Sequence, residues 1–252
     1  MRPLLLSAAL LIVAPTGAEE GSLQVLAAAS LTDAFDEVAR AFEQAHPGSR
    51  VELGFAGTQV LRTQVEQGAP ADVFASADVI HAAALEKQGL LDGLRPLTRN
   101  RLVVVTPAEG SPVRALGDLA KPFTRIVLAN PSVPAGRYAL QALARIAQDG
   151  RWGRDFATRV RVNVVSEETN VRAVLAKVSL GEADAGVVYA TDARAARGTV
   201  LTIEIPPELN VEAEYSIGVL RRSARKPRAE AFVAWALGPD GQAILRAYGF
   251  GP

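Results

Sequence analysis

The sequence predicts an α/β protein of two lobes, each a mainly parallel sheet flanked by helices, with a hinge between them. Three observations predict it. Short apolar runs alternate with amphipathic helical stripes along most of the chain, the pattern of parallel sheets covered on both faces. A polar break, Thr98-Arg99-Asn100, precedes the strongly apolar run from Arg101 to Thr106 and reads as a crossover into a second lobe. The run from Tyr215 to Leu220 reads as a return strand, so the chain crosses between lobes at least twice. The expected bounds are 22–101 plus 217–252 for the first lobe and 102–216 for the second.

The elements follow in order. Arg2, the apolar run from Leu4 to Val13 and the small residues Thr16-Gly17-Ala18 make residues 1–18 a secretory signal peptide, with cleavage near Ala18. The apolar run falls short of the ~20 residues a membrane span needs. An exported, periplasmic protein without stable membrane insertion is expected. The run from Leu23 to Ala27 is a buried strand that feeds a helix starting at Ser30. Asp33, three residues on, makes a capping-box-like start. Leu31, Ala34, Phe35, Val38, Ala39 and Phe42 form that helix's apolar stripe. His46-Pro47-Gly48 is a break. A strand from Val51 to Ala56 leads through Gly57-Thr58 into a helix ending near Gln67, and Gly68-Ala69-Pro70 is a turn. A strand from Asp72 to Ser76 precedes a helix from Val79 to Lys87 with Ile80, Ala83, Ala84 and Leu85 as its apolar face.

In the second lobe, strands are expected at 125–129, 160–165, 185–189 and 200–205. Helices are expected at 136–147 and 170–180, the latter turning Val171, Val174, Leu175 and Val178 inward. Two helices, at 228–237 and 240–248, should pack back on the first lobe. The basic run Arg221-Arg222-Ser223-Ala224-Arg225-Lys226 lacks interleaved aromatic residues, so it reads as a solvated turn and not a nucleic-acid patch.

Composition removes several function classes. There is no cysteine, which excludes disulfides, thiolate metal sites, a Cys nucleophile and a thiol-linked lipid anchor. Lys plus Arg number 27 and Asp plus Glu 27, so no overall field favours nucleic acid or an anionic membrane. A negatively charged ligand would be held by local groups.

Such groups are present. Ala29-Ser30, Gly57-Thr58, Val133-Pro134-Ala135-Gly136 and Thr169-Asn170-Val171 each stand where a strand ends and a helix begins, and Tyr189 ends a strand. Ligands in open α/β sheets bind outside the carboxyl ends of the strands. Helix N-termini there offer free N–H groups and partial positive charge to an anion. Taken singly, Ser30 and Thr58 read as helix caps and Tyr189 as a half-buried packing residue. Asp72, Asp78 and Asp192 read as turn and cap residues rather than metal ligands. His46 and His81 fall on segments expected to be exposed and receive no role.

Four stretches together carry a specific resemblance: Ala27-Ala28-Ala29-Ser30-Leu31-Thr32, Gln67-Gly68-Ala69-Pro70-Ala71-Asp72-Val73-Phe74-Ala75-Ser76-Ala77-Asp78, Val133-Pro134-Ala135-Gly136-Arg137-Tyr138, and Gly186-Val187-Val188-Tyr189-Ala190-Thr191-Asp192-Ala193. From Gln24 to Phe250 the chain resembles the periplasmic molybdate-binding proteins of ABC transporters, which also take tungstate. The resemblance implies a type II periplasmic-binding-protein fold, a monomer, a membrane permease as partner, no cofactor and no catalysed reaction. It implies that Ser30 and Thr58 supply hydroxyls to the oxyanion, Ala135 and Val171 backbone N–H groups, and Tyr189 its phenol, with no protein group on the metal itself. Many relatives carry Ser in a serine-rich stretch where this chain reads Ala56-Gly57-Thr58-Gln59. The extra methyl of Thr58 bears on pocket size.

Two rival readings remain at this level. The same fold could receive another anion or ferric iron, which needs hard anionic oxygens. Tyr138, Tyr189, Tyr215 and Tyr248 are available, without an adjacent pair. A hydrolase would use Ser30 or Ser76 with His81, but no Gly-x-Ser-x-Gly elbow is present.

Overall fold

The computed structural model describes residues 21–251. The signal-peptide reading of residues 1–18 lies outside the described residues. Strand β1 (Leu23–Ala28) runs through a short 3₁₀ turn at Ala29–Leu31 into helix α1 (Thr32–Ala45). Then come β2 (Val51–Ala56), α2 (Thr58–Glu66), β3 (Val73–Ser76), α3 (Val79–Lys87) and the long β4 (Leu91–Pro107). The chain continues with β5 (Ile126–Ala129), α4 (Pro134–Asp149), α5 (Phe156–Val162), β6 (Val164–Glu168), α6 (Val171–Ser179), β7 (Ala185–Tyr189) and α7 (Ala190–Ala195). It ends with β8 (Val200–Glu204), β9 (Glu212–Leu220), α8 (Lys226–Leu237) and α9 (Pro239–Ala247).

Strand β4 belongs to two sheets. Its residues 91–101 pair antiparallel with β9, in a sheet ordered β2-β1-β3-β9-β4. Its residues 102–107 pair with β7 and β8, in a sheet ordered β8-β4-β7-β5-β6. β1, β2 and β3 are mutually parallel, as are β5, β6 and β7, so each sheet is parallel where it carries its helices. Strand β9 enters the first sheet at Glu212, opposite Arg101, a few residues ahead of the expected return at 215.

Alternation along the strands puts apolar side chains on both faces. Val73 and Ala75 join the large core, whereas Phe74 between them joins a second cluster with Leu61, Val65, Leu85 and Leu91 under α2 and α3. On the opposite face α1 meets α8, with Phe232 edge-on to Phe35 and Phe42 at centroid distances of 6.3 and 5.3 Å. The last helices thus return to the first sheet, as their apolar positions predict. Burying each such side chain contributes about 1.5–3 kcal/mol.

Three local expectations are corrected. Ser30 and Asp33 do not form a capping box, because the 3₁₀ turn delays α1 and both side chains bond elsewhere. Helix α3 buries His81, Ala82 and Leu85 and leaves Ile80 58% exposed, because Asp78 caps it and fixes its phase. Residues 156–162 form helix α5 rather than the start of a strand. Phe156 and Val160, four apart, share its buried face, and the alternation that suggested a strand leaves Val162 in solvent.

Candidate functional site

The carboxyl ends of β1, β2, β5, β6 and β7 converge on one small cavity. Its walls are Ala28, Ala29, Ser30, Ala56, Gly57, Thr58, Ala77, Val133, Pro134, Ala135, Asn170, Val171 and Tyr189. All five residues singled out from the sequence, Ser30, Thr58, Ala135, Val171 and Tyr189, are therefore brought together. The walls stand close, leaving room for about one water-sized sphere. Among the described residues no Lys, Arg, His, Asp or Glu lines the cavity.

Each donor is placed by its own element. Thr58 opens α2 and is buried; its hydroxyl accepts the Ala77 N–H at 3.1 Å, which leaves its proton free for an acceptor in the cavity. Ser30 Oγ lies 2.7 Å from the Tyr215 hydroxyl in the 3₁₀ turn, so Tyr215 orients it from β9. Ala135 and Val171 open α4 and α6, where the first N–H groups of a helix have no intrahelical acceptor. Pro134 begins α4 with its fixed φ, and Asn170 caps α6 by accepting the Ala173 N–H at 3.0 Å. Tyr189 is 1% exposed, and among the described residues its hydroxyl completes no hydrogen bond of good geometry, the Tyr215 hydroxyl being its polar neighbour. Burial raises the Tyr189 phenol well above its ordinary 10, with nearby Tyr215 adding to the effect. Burial likewise raises Tyr215. Both are neutral donors at any physiological pH.

Two glycines let the walls approach. A Cβ on Gly57 would stand 2.3 Å from the Thr169 carbonyl oxygen on the other side of the cavity. One on Gly136 would meet the carbonyls of Ala129 and Asn130 at 2.2 Å, so α4 sits on the end of β5 only because no side chain intervenes.

Ionic links span the two halves just outside this neutral lining. Arg137 on α4 pairs with the fully buried Asp78 ahead of α3. Arg172 on α6 pairs with Asp33 on α1 and, at 2.8 Å, with Asp192 on α7. Gln59 Nε2 donates to Thr169 O at 2.8 Å. Asp78 also accepts the His81 N–H at 2.9 Å, which supports its reading as a cap. Asp72 accepts the Gln24 N–H at 2.8 Å and ties β1 to the loop before β3. Asp192 accepts the Tyr189 N–H at 3.3 Å. Among the described residues no group of three or more His, Asp or Glu side chains could hold a metal ion.

The histidines are less exposed than expected. His46 stacks on Phe42 at 4.2 Å, and His81 is buried with Nε2 3.1 Å from the Ser132 carbonyl. The sequence reading missed Tyr215 as an orienting group, and likewise the charges of Arg172 and Arg137 beside the cavity. Their partners Ser30, Asp78 and Asp33 lie 59 to 185 residues away, beyond any local pattern.

A much larger open hollow lies beside β4, walled by Arg99, Arg101, Arg145, Glu204, Glu212 and Glu214 among others. Some of its charges answer one another, Arg101 with Glu204 and Arg99 with Glu212, and Arg145 donates to Asn210 O, whereas Arg194 and Arg197 in the same walls have no ion-pair partner among the described residues.

Residues 23–251 match the model of the bacterial extracellular solute-binding protein family. The chain is 39% identical over 240 residues to the molybdate-binding protein ModA of Mycobacterium tuberculosis, covering 94% of this chain and 87% of that protein. The fold matches the Azotobacter vinelandii periplasmic molybdate-binding protein with a TM-score of 0.79 at 23% identity, over 92% of this chain and 99% of that one. It matches the sulfate-binding protein SubI of Mycobacterium tuberculosis with a TM-score of 0.81 at 21% identity, over 92% and 86%. The two-lobe α/β fold expected from the sequence is thus the fold of this chain. The chain belongs to the family of bacterial extracellular solute-binding proteins, alongside the molybdate-binding proteins that its motifs resemble.

Proposed function

We propose that this protein is an exported receptor that captures molybdate between two lobes and delivers it to the membrane permease of an ABC transporter. It catalyses no reaction. One observation carries the ligand class: the cavity presents hydroxyl and N–H donors from both halves, with the Tyr189 hydroxyl buried and without a well-formed hydrogen bond, and among the described residues no charged side chain stands in its walls. A tetrahedral dianion offers acceptor oxygens in every direction. Many neutral dipoles share its charge. Ser30, Thr58, Ala135, Val171 and Tyr189 are the donors in this reading, and tungstate, of the same shape and charge, is the second ligand. Sulfate offers the same four acceptors, so discrimination against it rests on cavity size. A wrong ion that leaves buried donors unpaired loses about 1–3 kcal/mol for each.

The rest of the reading follows from this. The halves 22–101 plus 217–252 and 102–216 part to admit the ion and close over it. The leader is removed near Ala18, and the mature protein works in the periplasm as a monomer. Among the described residues no helix is long and apolar enough to cross a membrane.

Two rivals lose support on physical grounds. Ferric iron needs several hard anionic oxygens, yet among the described residues no carboxylate lines the cavity and Tyr189 is the one tyrosine in its walls. The hydroxyls of Ser30 and Ser76 bond to Tyr215 and Asp78 rather than to His81. Calorimetric titration of the mature protein with molybdate, tungstate, sulfate and ferric citrate tests the assignment. Tight binding of molybdate and tungstate with weak or no response to sulfate is expected. Binding of sulfate without molybdate overturns the ligand, and an iron response with a visible charge-transfer band overturns the ligand class.

A further inference from the structure

Arg172 stands one residue beyond the donor Val171, outside the cavity walls, and its guanidinium reaches two carboxylates from different parts of the molecule. Asp33 lies on α1, three residues after Ser30. Asp192 lies on α7, three residues after Tyr189, and its other oxygen accepts the Tyr189 N–H at 3.3 Å. One side chain thus joins the turn that carries Ser30 to the strand end that carries Tyr189, and starts from the helix that carries Val171. The two acids differ: the Asp192 side chain is fully buried, whereas that of Asp33 is 42% exposed. Arg172 and Asp192 lie on α6 and α7, which pack against the same sheet, whereas Asp33 lies on α1 against the other. A planar guanidinium can serve two carboxylates at once; a lysine ammonium is a single point of charge without that fork.

We propose that Arg172 is a positioning residue that couples closure of the cleft to the ordering of the second-half donors, acting through Asp192 on Tyr189 and locking to Asp33 when the halves meet. This rests on the oxyanion reading of the cavity. Opening breaks the Asp33 contact and leaves Arg172 paired to Asp192. Closing restores it and draws α6, with the Val171 N–H, toward the Ser30 turn.

The test uses D33N, D33E, R172K, R172Q and the D33N/R172Q double variant of the full mature chain. Molybdate affinity is measured by calorimetry and ligand-free stability by thermal unfolding. The chain has no cysteine, so the pair E86C and R161C, on exposed positions of α3 and α5, gives a clean spin-label distance across the cleft. D33N is expected to weaken molybdate binding about 5- to 20-fold, within the range of ordinary coupling between sites. Its ligand-free unfolding midpoint should stay within about 2 °C of wild type, as for a substitution on a partly exposed side chain. D33E should restore affinity, and R172K should not. The double variant should be no weaker than R172Q alone. In the ligand-free protein D33N should deplete the short-distance population, a readout that needs no ligand. Additive effects of D33N and R172Q, or an unchanged distance distribution in D33N, overturn the coupling role. Failure of wild type to bind any oxyanion, with the distance shift present, instead overturns the ligand reading and leaves the closure link standing.

Discussion

Tyr189 and Thr58 both carry hydroxyls into the cavity, but they differ in what the protein already asks of them. Among the described residues the Tyr189 hydroxyl completes no hydrogen bond of good geometry and has only the Tyr215 hydroxyl beside it, so Tyr189→Phe should change ligand-free stability little. It should weaken molybdate binding by about 10- to 100-fold, the worth of a hydrogen bond to a charged group. Calorimetry together with ligand-free thermal unfolding separates the two effects. Thr58 accepts the buried Ala77 N–H, so Thr58→Ala should damage both properties. Stability should fall by about 1–3 kcal/mol for the orphaned N–H, and affinity should fall as well. Thr58→Ser should keep the stability, and its affinities for molybdate and tungstate report what the extra methyl does. Denaturant unfolding and paired titrations of the two variants check this. Neither difference is visible in the sequence, where both residues are simply hydroxyls at strand ends.

At the scale of elements, the strand–helix junctions decide the site. Parallel strands end together, so any polar group just past a strand end is delivered to the same edge. This is why the four strand-to-helix stretches stood out in the sequence, whereas Ala135 and Val171, which have no side-chain chemistry, were singled out within them only by the family resemblance. Closeness across the cleft depends on what is missing from a junction. Gly57 has an ordinary φ of −60°, so alanine is conformationally acceptable there, yet its methyl would collide with Thr169 O. Gly57→Ala should therefore fold normally, weaken molybdate binding at least about 10-fold, the tenfold step of 1.4 kcal/mol, and enlarge the ligand-bound radius of gyration relative to wild type. Small-angle scattering with and without molybdate measures this. Unchanged scattering and affinity would mean that the halves do not need the Gly57–Thr169 approach. The overlap at 160–162, expected as the start of a strand over 160–165 and found as the end of α5, shows the limit of short patterns. Four residues of alternation fit a strand, but the Phe156–Val160 spacing that made it a helix only matters once α4 and the Leu116–Ala120 turn supply a surface to bury it.

At the scale of the whole molecule, the buried ionic links make stability depend on pH. Burial pushes Asp192 up to about 7 from an ordinary 3.8, against the pull of Arg172 on α6 and the Tyr189 N–H, with Asp33 on α1 adding to the rise. Tyr215 on β9 also faces it. Between those two values the unfolded chain has lost this proton and the folded chain retains it. Folding stability from this group therefore falls as pH rises from about 4 to about 7, and is level above that. The slope is at most about 1.4 kcal/mol per pH unit. Asp192→Asn should lose that slope. Carboxylates such as Glu168, held down by Lys177 and Ser166, contribute the opposite slope in both proteins. The difference between wild type and Asp192→Asn in denaturant unfolding at pH 4 to 8 isolates the buried acid. A parallel pair of curves would mean that Asp192 stays ionised in the fold.

The sequence by itself determined the alternation of strands and helices, the point near residue 101 where the chain changes sheet, and the junction stretches that meet at one cavity, within which the family resemblance picked out the individual residues. The first three are consequences of local periodicity and of the common direction of parallel strands, both of which act within a few residues. The tertiary structure alone decided which groups orient the donors and how near the two halves come. Tyr215 meets Ser30 from 185 residues away, Arg172 meets Asp33 from 139, and Gly57 faces Thr169 across the cleft. Such contacts depend on the placement of one sheet against another, and burial then gives a lone hydroxyl or carboxylate an energetic weight that its residue type does not reveal.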